Sequence, residues 1–244
     1  NDAYMRMITI ILPVYNDWSN LFEILKKIEK IARKAKTKVN ILVVNDSSTN
    51  KYNYQRFGFG KIVYLNLKKN IGSQKAIATG LNFAIKKKLG DKFIIMDSDG
   101  EDNPDEISKI IKLTKKNKID TITMNRKLRH ESLLFSFLYE IHLIITLFLT
   151  FHYIRFGNFS FLSLNSAKKI SSKKDLWIAY SSTISKYLIN KKVIKAERKN
   201  RISGKSKMKY WQLFFHSLRI LAVFKNTVFI TSIFYLIIAF NIFN

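Results

Sequence analysis

The stretch FIIMDSDGEDNPDEI, Phe93 to Ile107, runs from a short apolar segment through seven acidic or amide side chains towards a helix start. KFIIM (92–96) reads as a buried strand, and Pro104 suits the first turn of a helix that continues to about Asn117. A strand, a polar turn and a helix form the repeating unit of an α/β sheet. The remaining chain repeats that unit on both sides of the stretch.

Upstream, MITIIL (7–12) is a strand that ends at Pro13. In the following segment Leu21, Leu25, Ile28, Ala32 and Ala35 recur at helical spacing opposite a lysine-rich face. VNILVV (39–44) and KIVYLN (61–66) read as strands and SQKAIATGLNFAIKKK (73–88) as a helix. Downstream, DTITM (120–124) closes the alternation. The expected fold class is therefore α/β, a mostly parallel sheet flanked by helices. Ligands of such sheets sit beyond the carboxyl ends of the strands. The polar clusters PVYND, NDSST and DSDGED all fall at that mouth, which suggests a nucleotide-type pocket.

The 244 residues hold 43 Lys and Arg against 17 Asp and Glu, a formal net charge of +26, and no cysteine. Disulfides, thiolate metal sites and cysteine nucleophiles are excluded. A surplus of positive charge this large calls for an anionic partner. No recognisable nucleic-acid-reading module is present, so nucleic acid is not the expected partner. From Asn226 to Asn244 there is no charged side chain, and the apolar run is long enough for a bilayer core. The preceding Tyr180–Lys225 region carries twelve Lys and Arg and one acid, Glu197. That asymmetry predicts a membrane span with its basic side, and the domain before it, on the cytoplasmic face. A second apolar stretch, Leu133 to Ile154, is interrupted by Glu140, His142 and His152, and reads as a helix in the interface or packed against the anchor. The expected organisation is a domain over 1–210 that includes a membrane-associated helix over 133–154. A basic juxtamembrane helix over 211–225 and a transmembrane helix over 226–244 follow.

Asp97 and Asp99 lie two apart at a strand end, so both carboxylates face one side of extended backbone. Side by side they repel unless a cation sits between them, and oxygen donors suit Mg2+ or Mn2+. Glu101 and Asp102 could add to the shell. The other reading makes these acids caps of the Pro104 helix, whose N-terminus favours negative charge. Both readings stay open on the residues alone, whereas Asp105 and Glu106, inside the first helical turn, read as capping residues.

Six motifs in order, TIILPVYND, VVNDSST, NIGSQKAIATG, IIMDSDGEDNPDEI, GNFSFLS and RISGKSK, resemble a family 2 glycosyltransferase of the GT-A fold. Their order and spacing are similar to the dolichyl- and polyprenyl-phosphate sugar synthases. The resemblance covers roughly Met7 to Tyr210. It implies that Pro13, Tyr15 and Asp17 wrap a nucleotide base, with Asp17 in place of the usual Glu. It also implies contacts from Asn45 and Asp46 to base and ribose, although Asn45 replaces an acid and Ser47 a glycine. Gly72 belongs to the pattern of small residues beside the nucleotide, and Lys75 could meet a phosphate. Asp97 and Asp99 match the family's Asp-x-Asp motif, with Asp97 towards ribose and metal and Asp99 as metal ligand. Glu101 stands where these synthases often carry a metal-binding Gln.

For phosphate and acceptor the resemblance points to Arg126 and Arg129, then to Arg201, Lys205, Ser206 and Lys207 in the RISGKSK run. In GNFSFLS, Asn158 replaces the family's Asp and Ser160 its Arg. The implied reaction moves a sugar from a nucleoside-diphosphate sugar to a polyprenyl phosphate, with Mg2+ or Mn2+. Asp97, Asp99 and Arg201 are the expected catalytic residues. Two other functions fit the same fold: transfer to a hydroxyl of a glycan or lipid, and a non-catalytic membrane-surface role. An alcohol acceptor needs a general base, and past Tyr153 the chain offers only Asp175 and Glu197. A lipid phosphate is already anionic and needs none, which favours the first function. His130, His142, His152 and His216 lie in or beside basic or lipid-facing stretches and read as interfacial rather than catalytic. Relatives often carry a pair of spans, so the chain is expected to stop short of a second.

Overall fold

The computed structural model describes residues 7–50, 52, 58, 60–126, 133–197 and 210–243. Strand β1 (Ile8–Val14) leads into helix α1 (Trp18–Lys34), then β2 (Val39–Asn45) and β3 (Ile62–Asn66). Helix α2 (Ser73–Lys86), β4 (Lys92–Ile95), α3 (Glu106–Lys116) and β5 (Thr121–Arg126) follow. The second half holds α4 (Leu133–Thr150), β6 (Phe156–Ser163), α5 (Leu164–Ser171), a 3-10 turn at Lys174–Trp177 and α6 (Tyr180–Tyr187). It closes with β7 (Lys192–Ala196), α7 (Tyr210–Val223) and α8 (Lys225–Phe243).

The seven strands form one sheet in the order β3-β2-β1-β4-β6-β5-β7. All pairings are parallel except those of β6, which runs antiparallel between β4 and β5. Every residue of β1 and β2 is buried, as strands covered on both faces must be, and this is why they read as unbroken apolar runs. Helices α1 and α3 cover one face through Leu21, Ile24, Ile28, Ile107 and Ile110. On the other face lie α2, α5 and α6, joined by Ile220, Val223 and Phe224 from the α7–α8 junction.

Pro13 does not end β1 as its sequence suggested; the strand continues to Val14. The ladder to β4 stops at Ile11–Ile95, and the Pro13 carbonyl, on that side, accepts from Ser98 Oγ at 2.6 Å. The N–H that proline lacks therefore has no ladder partner to lose.

Glu140, which interrupts the apolar run of α4, pairs with Arg155 at 2.9 Å, and Arg155 also donates to the Tyr153 hydroxyl. Helix α4 packs against α7 and α8, where Thr231 Oγ1 and Tyr235 OH donate to the Leu149 and Phe148 carbonyls at 3.0 and 2.9 Å. Among the described residues one helix is long and apolar enough to cross a membrane, over Lys225–Ile242, and only 6% of that window is buried.

Candidate active site

The three loops at the carboxyl end of the sheet are bound to one another by side chains. After β1, the Asn16 side-chain oxygen accepts from the Thr49 and Asn50 N–H groups at 2.8 and 3.0 Å, and the Asn16 backbone N–H donates to Ser48 Oγ. Both Asn16 and Ser47 hold left-handed backbone, φ 52° and 60°. Asp17 accepts from the Asn20 side chain at 2.7 Å at the start of α1, while Tyr15 stands exposed. Asn45 is buried; its oxygen accepts from the Ser48 N–H, and its amide donates to Asn66 at 3.0 Å and to Tyr52. Tyr52 in turn stacks on Trp18 with ring centroids 3.5 Å apart.

Asp46 works across a longer gap. Its two carboxylate oxygens accept from the N–H groups of Ile71 and Gly72, at 2.8 and 2.9 Å. This fixes the entry to α2, where Gly72 takes φ 86°, a conformation glycine adopts without strain. Lys75 is exposed in the first turn of that helix. A Cβ on Gly80 would lie 2.6 Å from Val44 Cγ2 and 3.0 Å from Ile11 Cγ2, so the small residues of α2 bring the helix onto strands β1 and β2.

The acidic turn after β4 is folded by its own backbone. Asp102 accepts from the Asp97 N–H and Asp99 from the Glu101 N–H, both at 3.0 Å, with Gly100 at φ 85°. Asp102 is thus committed within the turn, and Glu101 is buried. Helix α3 begins only at Glu106, and Asp105 makes no side-chain cap bond. The capping expected of Asp105 is therefore not made. Glu106 pairs with Lys109 at 2.8 Å.

Burial first, and then the charges of Asp97, Glu101 and Asp102, push the Asp99 carboxyl up to about 7. Such crowding is what a divalent cation relieves, and hard oxygen donors are what Mg2+ and Mn2+ take. Among the described residues no group of three or more His, Asp or Glu is arranged to hold a metal ion. Asp97 and Asp99 are the residues that would hold such a cation, with water and substrate phosphate in the remaining positions that Mg2+ usually keeps.

An amide chain not legible in the sequence reaches Asp97 from β6 and α2. Asn158 on β6 donates to Asp97 Oδ1 at 2.9 Å, and Gln74 on α2 donates to Asn158 Oδ1 at 3.2 Å. Ser160, at the other departure from the family pattern, bonds the fully buried Tyr180 hydroxyl at 2.7 Å. Asp175 accepts from Lys186 Nζ at 2.9 Å and from the Tyr187 hydroxyl at 2.8 Å. Lys186 also donates to the Val223 carbonyl at the end of α7. Arg126 closes β5. Arg129, Arg201, Lys205, Ser206 and Lys207 lie outside the described residues.

A doubly covered, mostly parallel sheet with an acidic turn at its mouth is the architecture of GT-A glycosyltransferases, and solved structures of that class share it. Glucosyl-3-phosphoglycerate synthase from Mycobacterium tuberculosis, whose structure holds Mn2+ and UDP, superposes with a TM-score of 0.58 at 13% identity, over 91% of this chain and 80% of that one. S. aureus TarS with UDP-GlcNAc gives 0.53 at 17% identity, over 89% of this chain and 66% of that one. The profile described as glycosyl transferase family 2 matches residues 9–169, well over half of the chain, and the chain belongs to that family.

Among curated relatives, an uncharacterised protein of Methanocaldococcus jannaschii is 29% identical over 49% of this chain and 52% of its own length. An undecaprenyl-phosphate 4-deoxy-4-formamido-L-arabinose transferase of Pseudomonas syringae is 27% identical over 50% of this chain and 37% of its own. The match thus spans about half or less of these relatives.

Proposed function

We propose that this chain transfers a sugar from a nucleoside-diphosphate sugar to a polyprenyl phosphate at a membrane, aided by Mg2+ or Mn2+ at Asp97 and Asp99. The observation that carries the choice of acceptor is the engagement of Asp175. Of the two acids past Tyr153, it is the one held between Lys186 and Tyr187, where it acts as a structural anion. A hydroxyl acceptor would need a free carboxylate to take its proton, whereas a phosphate monoester arrives as an anion. The names of several curated relatives point the same way.

In this reading Asp46 holds the start of α2 so that its N-terminus faces the nucleotide phosphates, a favourable place for negative charge. Asp97 and Asp99 hold the cation. When bound, it would neutralise charge on the departing nucleoside diphosphate. A phosphate oxygen of the acceptor forms the new bond to the anomeric carbon as the bond to the diphosphate breaks, and no proton need be removed. Arg126, Arg129 and the RISGKSK run, with Arg201, Lys205, Ser206 and Lys207, supply the cationic donors for both phosphates. Tyr15 and Asp17 border the base, and α8 anchors the domain, with its Lys and Arg on the cytoplasmic side.

The test is a panel of nucleotide sugars offered with undecaprenyl phosphate and Mn2+ to the full chain in detergent, read by product mass. The expected product is a sugar phosphodiester labile to mild acid, and Asp99→Ala should lower its formation by about a hundredfold or more. An acid-stable glycoside would shift the reading to a hydroxyl acceptor. No product, together with no gain in thermal stability from nucleotide or metal, would make the chain a non-catalytic member.

A further inference from the structure

We propose that Gln74 and Asn158 form a one-way amide relay that sets the orientation of Asp97, an inference that rests on the proposed cation role of Asp97 and Asp99. The relay starts at a group whose polarity cannot be reversed. The backbone N–H of Tyr180, at the start of α6, donates to Gln74 Oε1 at 2.7 Å. A backbone N–H only donates, so the Gln74 oxygen must face it and Gln74 Nε2 must face away. Nε2 then donates to Asn158 Oδ1 at 3.2 Å, which leaves Asn158 Nδ2 to donate to Asp97 Oδ1 at 2.9 Å. Each amide, ambiguous by itself, is fixed by the one before it.

The relay is braced from β6 as well. Ser160 Oγ donates to the Asn158 carbonyl at 3.0 Å and lies 2.7 Å from the Tyr180 hydroxyl, so Tyr180 at the start of the relay and Asn158, its last amide, are linked through Ser160. At the far end Asp97 receives a charge-assisted N–H on one oxygen while its own N–H is held by Asp102. With one oxygen held by Asn158, rotation of the Asp97 carboxylate is restrained. Where the resembling sequences carry an acid, Asn158 thus offers a neutral donor to a turn already dense in negative charge. Groups that orient metal-binding carboxylates in this way typically influence metal affinity about 10–100-fold.

Gln74 and Asn158 are positioning residues here, since they act through Asp97. A seam that merely glues α2, β6 and α6 together would involve the same atoms, and Gln74→Glu separates the two roles. Glu keeps the size and still accepts from the Tyr180 N–H, but it has no donor for Asn158. The Asn158 amide must then turn over to donate to the Glu, which brings its oxygen against Asp97.

The experiment measures Mn2+ binding to the full chain in detergent, by electron paramagnetic resonance, with Mn2+ alone and with Mn2+ plus UDP. Wild type, Gln74→Glu, Asn158→Ala, the double variant and Asp99→Ala are compared, with melting temperatures alongside. Gln74→Glu and Asn158→Ala should each weaken Mn2+ binding about 10–100-fold, and the double variant should be no worse than Asn158→Ala, because Gln74 acts only through Asn158. Wild-type affinity in Gln74→Glu, or losses that multiply in the double variant, would overturn the relay. Should Gln74→Glu fail to fold, Asn158→Ala and Asn158→Ser decide the matter, and unchanged Mn2+ affinity in both refutes it. If wild type binds Mn2+ no better than Asp99→Ala, the cation reading itself fails and the relay falls with it.

Discussion

Ser47 holds φ 60°, a conformation that costs an L residue roughly 1–2 kcal/mol, and it stands where the resembling sequences carry glycine. Ser47→Gly should therefore raise stability by about 0.5–1 kcal/mol once the greater freedom of glycine in the unfolded chain is subtracted, as a thermal melt would show. An unchanged or lower melting temperature would mean that the serine side chain offsets its own strain. At this scale the acids were legible in the sequence: two carboxylates at the end of an apolar run announce themselves in a basic chain. The contribution of Gln74 was not, because its partners lie 84 and 106 residues away along the chain. A polar amide among small residues in a first helical turn was the only hint. Asn45 is a second case. There the resemblance implied a nucleotide contact, and the hydrogen bonds of its oxygen and amide to Ser48, Asn66 and Tyr52 were not legible in the sequence.

Among the elements, α2 carries the tightest constraint. The Cβ contacts at Gly80 are with Val44 and with Ile11 on β1, both fully buried, so neither methyl can yield freely. Gly80→Ala should cost up to about 2 kcal/mol net, since overpacking of roughly 1–3 kcal/mol is offset by a gain in helix propensity of about 1 kcal/mol. Equilibrium unfolding would measure it, and a stabilised variant would show that the helix can lift off the sheet. The strand and helix alternation of the first half was readable because β1 and β2 are parallel strands buried along their whole length. The antiparallel β6 escaped notice, since a single strand inserted between β4 and β5 leaves no alternation to detect. Its sequence FGNFSFLS was recognised as a motif before it could be recognised as a strand. The charge within α4 has the same lesson: Glu140 looked like an obstacle to burial, and its partner Arg155 lies 15 residues on, past the end of the helix.

Over the whole molecule, the sheet domain and the apolar helices meet in a seam of polar and aromatic contacts. Lys186 ties Asp175 to the end of α7, and His152 donates to or accepts from Ser185 Oγ at 3.1 Å while its ring packs on Phe224. Burial, followed by the charges of Lys191 and Lys186, holds the His152 imidazole below its ordinary value. Below about pH 6.5 the unfolded chain therefore takes up this proton before the folded chain does, so stability falls as pH drops through that range. Melting curves between about pH 5 and 8 should show this loss in wild type, and a smaller one in His152→Gln. Equal slopes in both proteins would assign the pH dependence elsewhere.

The sequence by itself determined the α/β class, the acidic turn at the sheet mouth and the long apolar helix near the C-terminus. Those properties depend on side-chain periodicity and on residues within a few positions of one another. Only the tertiary structure decided that Asp175 is bound within the seam, that Asp46 holds the start of α2, and that Asp97 is held by Asn158. These depend on hydrogen bonds between segments that are distant along the chain, and no local pattern encodes such pairings.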